Sequence, residues 1–207
     1  MIRKELLKEL FVSFQETLPV SLFSRTTMPP FDSEKIIALR GVRRCGKSST
    51  LQLVINRLLE HGIAREQILF LNFDDERLQF EMSDFDEIIQ AYQELYPQVA
   101  SSDLYVFLDE VQVNVGWEQF VRRIYDQHTK HIFLTGSNSK MLSSEIATSL
   151  RGRTLQYEIL PLSFQEFCVF RQLETNIYSL PPPLSIHVHT IQSVYFFISH
   201  RISGVFP

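Results

Sequence analysis

Lys35-Ile-Ile-Ala-Leu39-Arg-Gly41-Val-Arg-Arg-Cys-Gly46-Lys47-Ser48 runs a short β-rich apolar stretch into a basic loop bounded by two glycines, and a helical pattern, Ser49–Leu59, follows at once. The loop satisfies G-x-x-x-x-G-K-[ST], the Walker A or P-loop pattern, in the strand-to-helix context that its chemistry requires. Gly41 and Gly46 let the backbone turn tightly enough to aim successive N–H groups at phosphate oxygens, and the helix N-terminus adds partial positive charge. Gly41, Val42, Arg43, Arg44, Cys45, Gly46, Lys47, Ser48 and Ser49 are therefore the candidate nucleotide-binding residues. Lys47 is expected on the β- and γ-phosphates, and the Ser48 hydroxyl on magnesium. Cys45 reads as small apolar filler, with a redox role as the alternative.

Downstream, short apolar runs recur at 68–73, 104–108, 131–135 and 154–160, separated by segments of helical spacing at 47–61, 83–96, 117–128, 140–150 and 163–173. With 35–39 this makes five strands. Strand–helix alternation predicts a three-layer α/β/α fold around a mostly parallel five-stranded sheet, because parallel strands need crossover connections. Ser163-Phe-Gln-Glu166 carries a capping-box signal, and Ser83 precedes acidic residues suited to a helix start. Residues 1–30 read as an amphipathic helix and a proline-bounded connector, 31–174 as the P-loop domain, and 175–207 as an atypical tail.

The second chemical motif is Leu104-Tyr-Val-Phe-Leu108-Asp109-Glu110, a buried-strand run ending in two carboxylates, which is the Walker B arrangement. Asp109 is expected to hold magnesium, and Glu110, facing differently, to act as general base toward water. One strand–helix unit separates this strand from the P-loop helix. That matches the additional-strand, catalytic-glutamate branch of P-loop NTPases, to which AAA+ ATPases belong. At the end of the next strand, Thr135-Gly-Ser137-Asn138-Ser139 offers a sensor of the γ-phosphate, with Asn138 and Ser137 ahead of Thr135. A turn and helix cap is the other reading of those residues. Arg151 and Arg153, the latter favoured, are candidates for an arginine finger reaching a neighbouring copy in a homo-oligomer; solvated arginines at a helix end are the alternative.

Six blocks in order resemble the prokaryotic AAA+-like ATPases that carry a second C-terminal domain, relatives of the archaeal ATPase and origin-recognition branch. They are Arg40–Ser48, Asn72-Phe-Asp-Asp75, Phe107–Gln112 with Gly116-Trp117-Glu118, Leu134–Ser139, Leu150–Arg153 and Leu160–Phe167, spanning about residues 30 to 170. The resemblance implies ATP hydrolysis and a longer chain with further helices and a second domain. After Glu174 this sequence departs from that pattern: all 24 acidic residues lie at or before it, and the rest is rich in proline and histidine. A truncated or frame-shifted copy is one expectation for that departure.

Composition bounds the remaining classes. A net charge of −4 with 21% charged residues lacks the basic excess of a dedicated nucleic-acid binder, although kinship with initiator-like ATPases keeps DNA association as a weakly supported reading. Two cysteines provide neither a disulfide framework nor a metal cluster, which suits a cytoplasmic protein. The apolar stretch Val194–Ile198 is far below the roughly 20 residues of a membrane span. Two functions remain: an ATPase using ATP and magnesium, or a nucleotide-gated binding module with little turnover.

Overall fold

The computed structural model describes residues 4–78, 80, 84–137, 150 and 152–172. The chain divides into two compact units, Met1–Arg171 and Gln172–Pro207. In the first unit the elements run α1 (Lys4–Glu16), β1 (Ile36–Gly41), α2 (Lys47–Glu60), β2 (Ile68–Asn72), α3 (Phe85–Leu95), β3 (Tyr105–Asp109), α4 (Trp117–Gln127), β4 (Ile132–Ser137), β5 (Thr154–Glu158) and α5 (Phe164–Phe170).

The five strands form one sheet in the order β2-β3-β4-β1-β5, and every adjacent pair is parallel. β4 thus stands between the strand that feeds the glycine loop and the strand that ends in Asp109, which is the additional-strand arrangement expected. Because side chains alternate across a strand, both faces need apolar cover in such a sheet. Ile36 and Ala38 of β1 join Leu69, Leu71, Val106, Leu108, Ile132 and Leu134 in one core, roofed by α1, α3 and α4 through residues such as Phe11, Ile88 and Phe120. Ile37 and Leu39 join Ile68, Phe107 and Phe133 in the other, closed by Leu51, Val54, Ile55 and Leu58 of α2 and by Leu18 of the connector.

Helix ends follow local chemistry. At α5 the Ser163 Oγ accepts from the Glu166 N–H at 3.2 Å while the Glu166 carboxylate accepts from the Ser163 N–H at 2.8 Å, the reciprocal pairing anticipated. That helix stops at Phe170, three residues before the expected end. Ser83 and the whole expected helix at 140–150 lie outside the described residues. Trp117 packs into the core at the first position of α4. The short 3₁₀ turns Arg65–Gln67, Ser101–Asp103 and Val111–Val113 were not expected from the sequence. They are too short to carry a periodic pattern.

Candidate nucleotide site

Parallel strands place all their C-terminal ends at one edge of the sheet, and the functional groups gather there. Gly41 ends β1 opposite Ser137 of β4, and Asp109 ends β3 opposite Asn72. The loop then climbs over that edge into α2. Gly46 caps the helix at φ 98°, a left-handed conformation that favours glycine. Gly41 is needed for a different reason: a Cβ there would sit 2.3 Å from the Ile159 carbonyl oxygen and 2.6 Å from the Cys45 sulfur. Cys45 itself is buried, as filler would be, and burial pushes its thiol pKa up.

A cavity of about 270 Å³ opens beside the start of α2, lined by Arg44, Gly46, Lys47, Ser48, Ser49 and Glu110. The first N–H groups of a helix have no intrahelical acceptor, so those of this 14-residue helix face a ready anion site. Val42 and Arg43 of the candidate set are exposed and do not line the cavity. Lys47 is only 5% exposed; its Nζ donates to the Gly41 and Val42 carbonyls, each at 3.3 Å, and lies 3.5 Å from a Glu110 carboxylate oxygen. The loop therefore holds its lysine folded back against its own carbonyls and the acidic residue across the cavity.

Asp109 is buried, and that burial pushes its carboxyl pKa up, opposed by hydrogen bonds from the Thr135 and Ser48 hydroxyls. The Ser48 hydroxyl thus stands on the Asp109 side of the helix start, where it favours the charged carboxylate. Among the described residues no group of three or more His, Cys, Asp or Glu side chains converges as a metal cage. One hydroxyl and one desolvated carboxylate beside the N-terminus of α2 is instead a donor set that suits magnesium, which keeps waters and takes one or two carboxylates plus phosphate oxygens.

Glu110 adopts φ 51° and ψ 44°, a left-handed conformation unusual for a non-glycine residue. That turn swings its side chain off the strand direction toward Lys47, and its other oxygen accepts from the Gln112 amide. Thr135 fastens the turn. Its fully buried hydroxyl accepts from the Glu110 N–H at 2.8 Å and donates to the Asp109 carboxylate, so one side chain from β4 fixes both acidic residues. Replacing it with the isosteric valine strands a buried N–H and a buried carboxylate oxygen. Thr135→Val is expected to cost about 1–3 kcal/mol in denaturant unfolding.

Residues 33–168 match the family described as AAA domain. The chain belongs to that family. This AAA domain is 41% identical over 143 residues to the uncharacterized protein MJ1544 of Methanocaldococcus jannaschii, a match covering 69% of this chain and 30% of the relative. It is 39% identical over 145 residues to an uncharacterized protein of Haemophilus influenzae, covering 70% and 36%. The chain thus spans about a third of the length of the curated relatives it matches. Among solved structures, AMPPCP-bound DnaA from Aquifex aeolicus is similar with a TM-score of 0.44 at 16% identity, over 95% of this chain and 61% of that one. C. elegans PCH-2 is similar with a TM-score of 0.40 at 15% identity, over 90% and 50%. Both likenesses are distant.

The AAA domain brings Gly41, Gly46, Lys47, Ser48, Ser49, Asp109 and Glu110 to one place. Ser137 ends β4 at the same sheet edge, its side chain outside the described residues, and Asn138 and Arg151 lie wholly outside them. Arg153 stands at the opposite edge: its carbonyl accepts from the Ile36 N–H at the start of β1, and its guanidinium pairs with Asp126 at 3.3 Å above the Tyr125 ring. Arg25, in the connector between α1 and β1, reaches the glycine loop without any motif to announce it. No helix among the described residues is long and apolar enough to cross a membrane.

Proposed function

We propose that this AAA domain binds ATP with magnesium and hydrolyses it. The reading rests on one observation: Lys47, Ser48, Asp109 and Glu110, drawn from one strand end and a helix start, line or adjoin one cavity at the N-terminus of α2. The α2 amides and Lys47 take the β- and γ-phosphates, an electrostatic cradle that needs no rearrangement of the backbone. Ser48 and Asp109 are the residues that would hold magnesium, whose chemistry there is to neutralise phosphate charge. Glu110 accepts the proton of the attacking water. A phosphate arriving in the cradle competes with Glu110 for the Lys47 ammonium, and loss of that ion pair frees the carboxylate to act as a base.

Arg153 enters this scheme only through a neighbouring copy, because in its own chain it lies a strand's length from the cradle. Steady-state phosphate release with magnesium and ATP tests the proposal against Lys47→Ala and Glu110→Gln. Turnover that neither substitution changes would refute it. A nucleotide-gated module with negligible hydrolysis is the second reading, favoured by the engagement of both Glu110 oxygens, with Lys47 and with Gln112. Tight ATP binding without phosphate release would select it.

A further inference from the structure

The connector between α1 and β1 contributes one side chain to the glycine loop. Arg25 uses all three guanidinium nitrogens on three different segments: Nη1 donates to the Cys45 carbonyl at 3.1 Å, Nη2 to the Leu160 carbonyl at 2.7 Å, and Nε to a Glu166 carboxylate oxygen at 3.1 Å. Both ion-pair partners are only 12% exposed. Glu166 is itself fixed from several directions. One oxygen also accepts from the Thr26 N–H at 2.9 Å and the Thr26 hydroxyl at 2.7 Å, and the other accepts from the Ser163 N–H at 2.8 Å. Burial pushes its carboxyl pKa upward, but these donors together outweigh burial and hold it at about 2. A guanidinium gripped this way has little freedom left, so it presents a fixed donor to the loop.

The carbonyl it grips is the one that matters for the cradle. Cys45 C=O and Gly46 N–H belong to one planar trans peptide, in which carbonyl and N–H point in opposite directions. Gly46 lines the phosphate cavity. Holding the Cys45 oxygen on the Arg25 side therefore turns the Gly46 N–H to the other side, as a donor for a phosphate oxygen. The left-handed Gly46 makes this peptide a natural flipping point, since glycine moves between φ basins at little cost. A Cβ at Gly46 would lie 3.0 Å from Arg25 Nη1, which shows how closely the guanidinium is seated on the loop.

We propose that Arg25 is a positioning residue for the phosphate loop, held by Glu166 of α5, so that the affinity of the cradle depends on the contact between connector and α5. The proposal rests on the ATP-binding reading given above. It assigns Arg25 no contact with the nucleotide. It also makes α5, whose sequence carries no nucleotide motif, part of what sets phosphate affinity.

The test is titration of the full chain with mant-ATP and magnesium, with inorganic tripolyphosphate as competitor, for wild type, Arg25→Gln, Arg25→Lys, Glu166→Gln and Lys47→Ala, each with its melting temperature. Arg25→Gln is expected to weaken mant-ATP about tenfold and tripolyphosphate by the same factor, because the defect lies in the phosphate cradle. Glu166→Gln keeps a side chain of the same shape and is expected to weaken both by a smaller factor. Arg25→Lys retains the charge but cannot reach three acceptors at once, so its affinity is expected between wild type and Arg25→Gln. If Arg25→Gln does not fold, Arg25→Lys and Glu166→Gln carry the decision. Folded Arg25 and Glu166 variants that bind both ligands as wild type does, while Lys47→Ala binds neither, overturn the proposal and leave the ATP-binding reading standing. A wild type that binds neither ligand overturns both.

Discussion

Glu110→Gln is expected to lower the rate of phosphate release by about two to four orders of magnitude, while leaving ATP affinity within a few fold of wild type. Glutamine matches glutamate in size and keeps the Gln112 and backbone contacts, so the left-handed turn at residue 110 persists. What it loses is the capacity to accept a proton. It also removes the negative partner of Lys47 across the cavity, which leaves the ammonium freer to take phosphate. Lys47→Ala has the complementary outcome. Removing a buried cation from beside the loop carbonyls deletes the point charge aimed at the phosphates, so binding and turnover are lost together. Phosphate-release kinetics and nucleotide titration on the two variants separate the roles: one loses chemistry with binding kept, the other loses binding.

Gly41→Ala is expected to destabilise the fold on the order of 3 kcal/mol. The added methyl meets the Ile159 carbonyl oxygen at 2.3 Å, a distance no relaxed structure tolerates, and that oxygen belongs to backbone that cannot swing aside as a side chain would. The next residue inward is tied as well, since the Ile159 N–H donates to the Arg40 carbonyl at 2.7 Å. Relief requires β1 and the exit of β5 to separate, which opens the same sheet edge that seats the glycine loop. A melting-temperature drop of roughly 6–12 °C follows for a chain of this size, with nucleotide affinity reduced in the same variant. A control at Gly62, where an added Cβ meets nothing within 4 Å but φ is +86°, carries only the backbone strain. It should cost less.

Much of this site is legible without coordinates because its chemistry depends on local spacing. Gly41 to Ser48 are contiguous, so one turn of backbone forms the whole loop, and Asp109 and Glu110 are adjacent, so a single strand end presents both carboxylates. The parallel sheet was legible for a similar reason: alternating runs such as Ile36–Leu39 and Val106–Leu108 bury both faces, which demands helices above and below. Thr135 was less legible. Its sequence neighbourhood offers several polar side chains of equal promise, and only the parallel pairing of β3 with β4 brings its hydroxyl between Asp109 and the Glu110 amide. Arg25 was not legible at all, because it lies between Ser24 and Thr26 in a connector with no periodicity.

The chain's own sequence, then, determined the sheet, the glycine loop and the acidic pair, since each follows from short-range order: side-chain alternation, glycine at a turn, charge at a strand end. Tertiary structure alone decided which groups orient that machinery. Thr135 stands 25 residues from Glu110, and Arg25 stands 141 from Glu166. Hydrogen bonds between such distant positions arise from how strands are paired and where a connector crosses them, and no local pattern in the chain encodes that crossing.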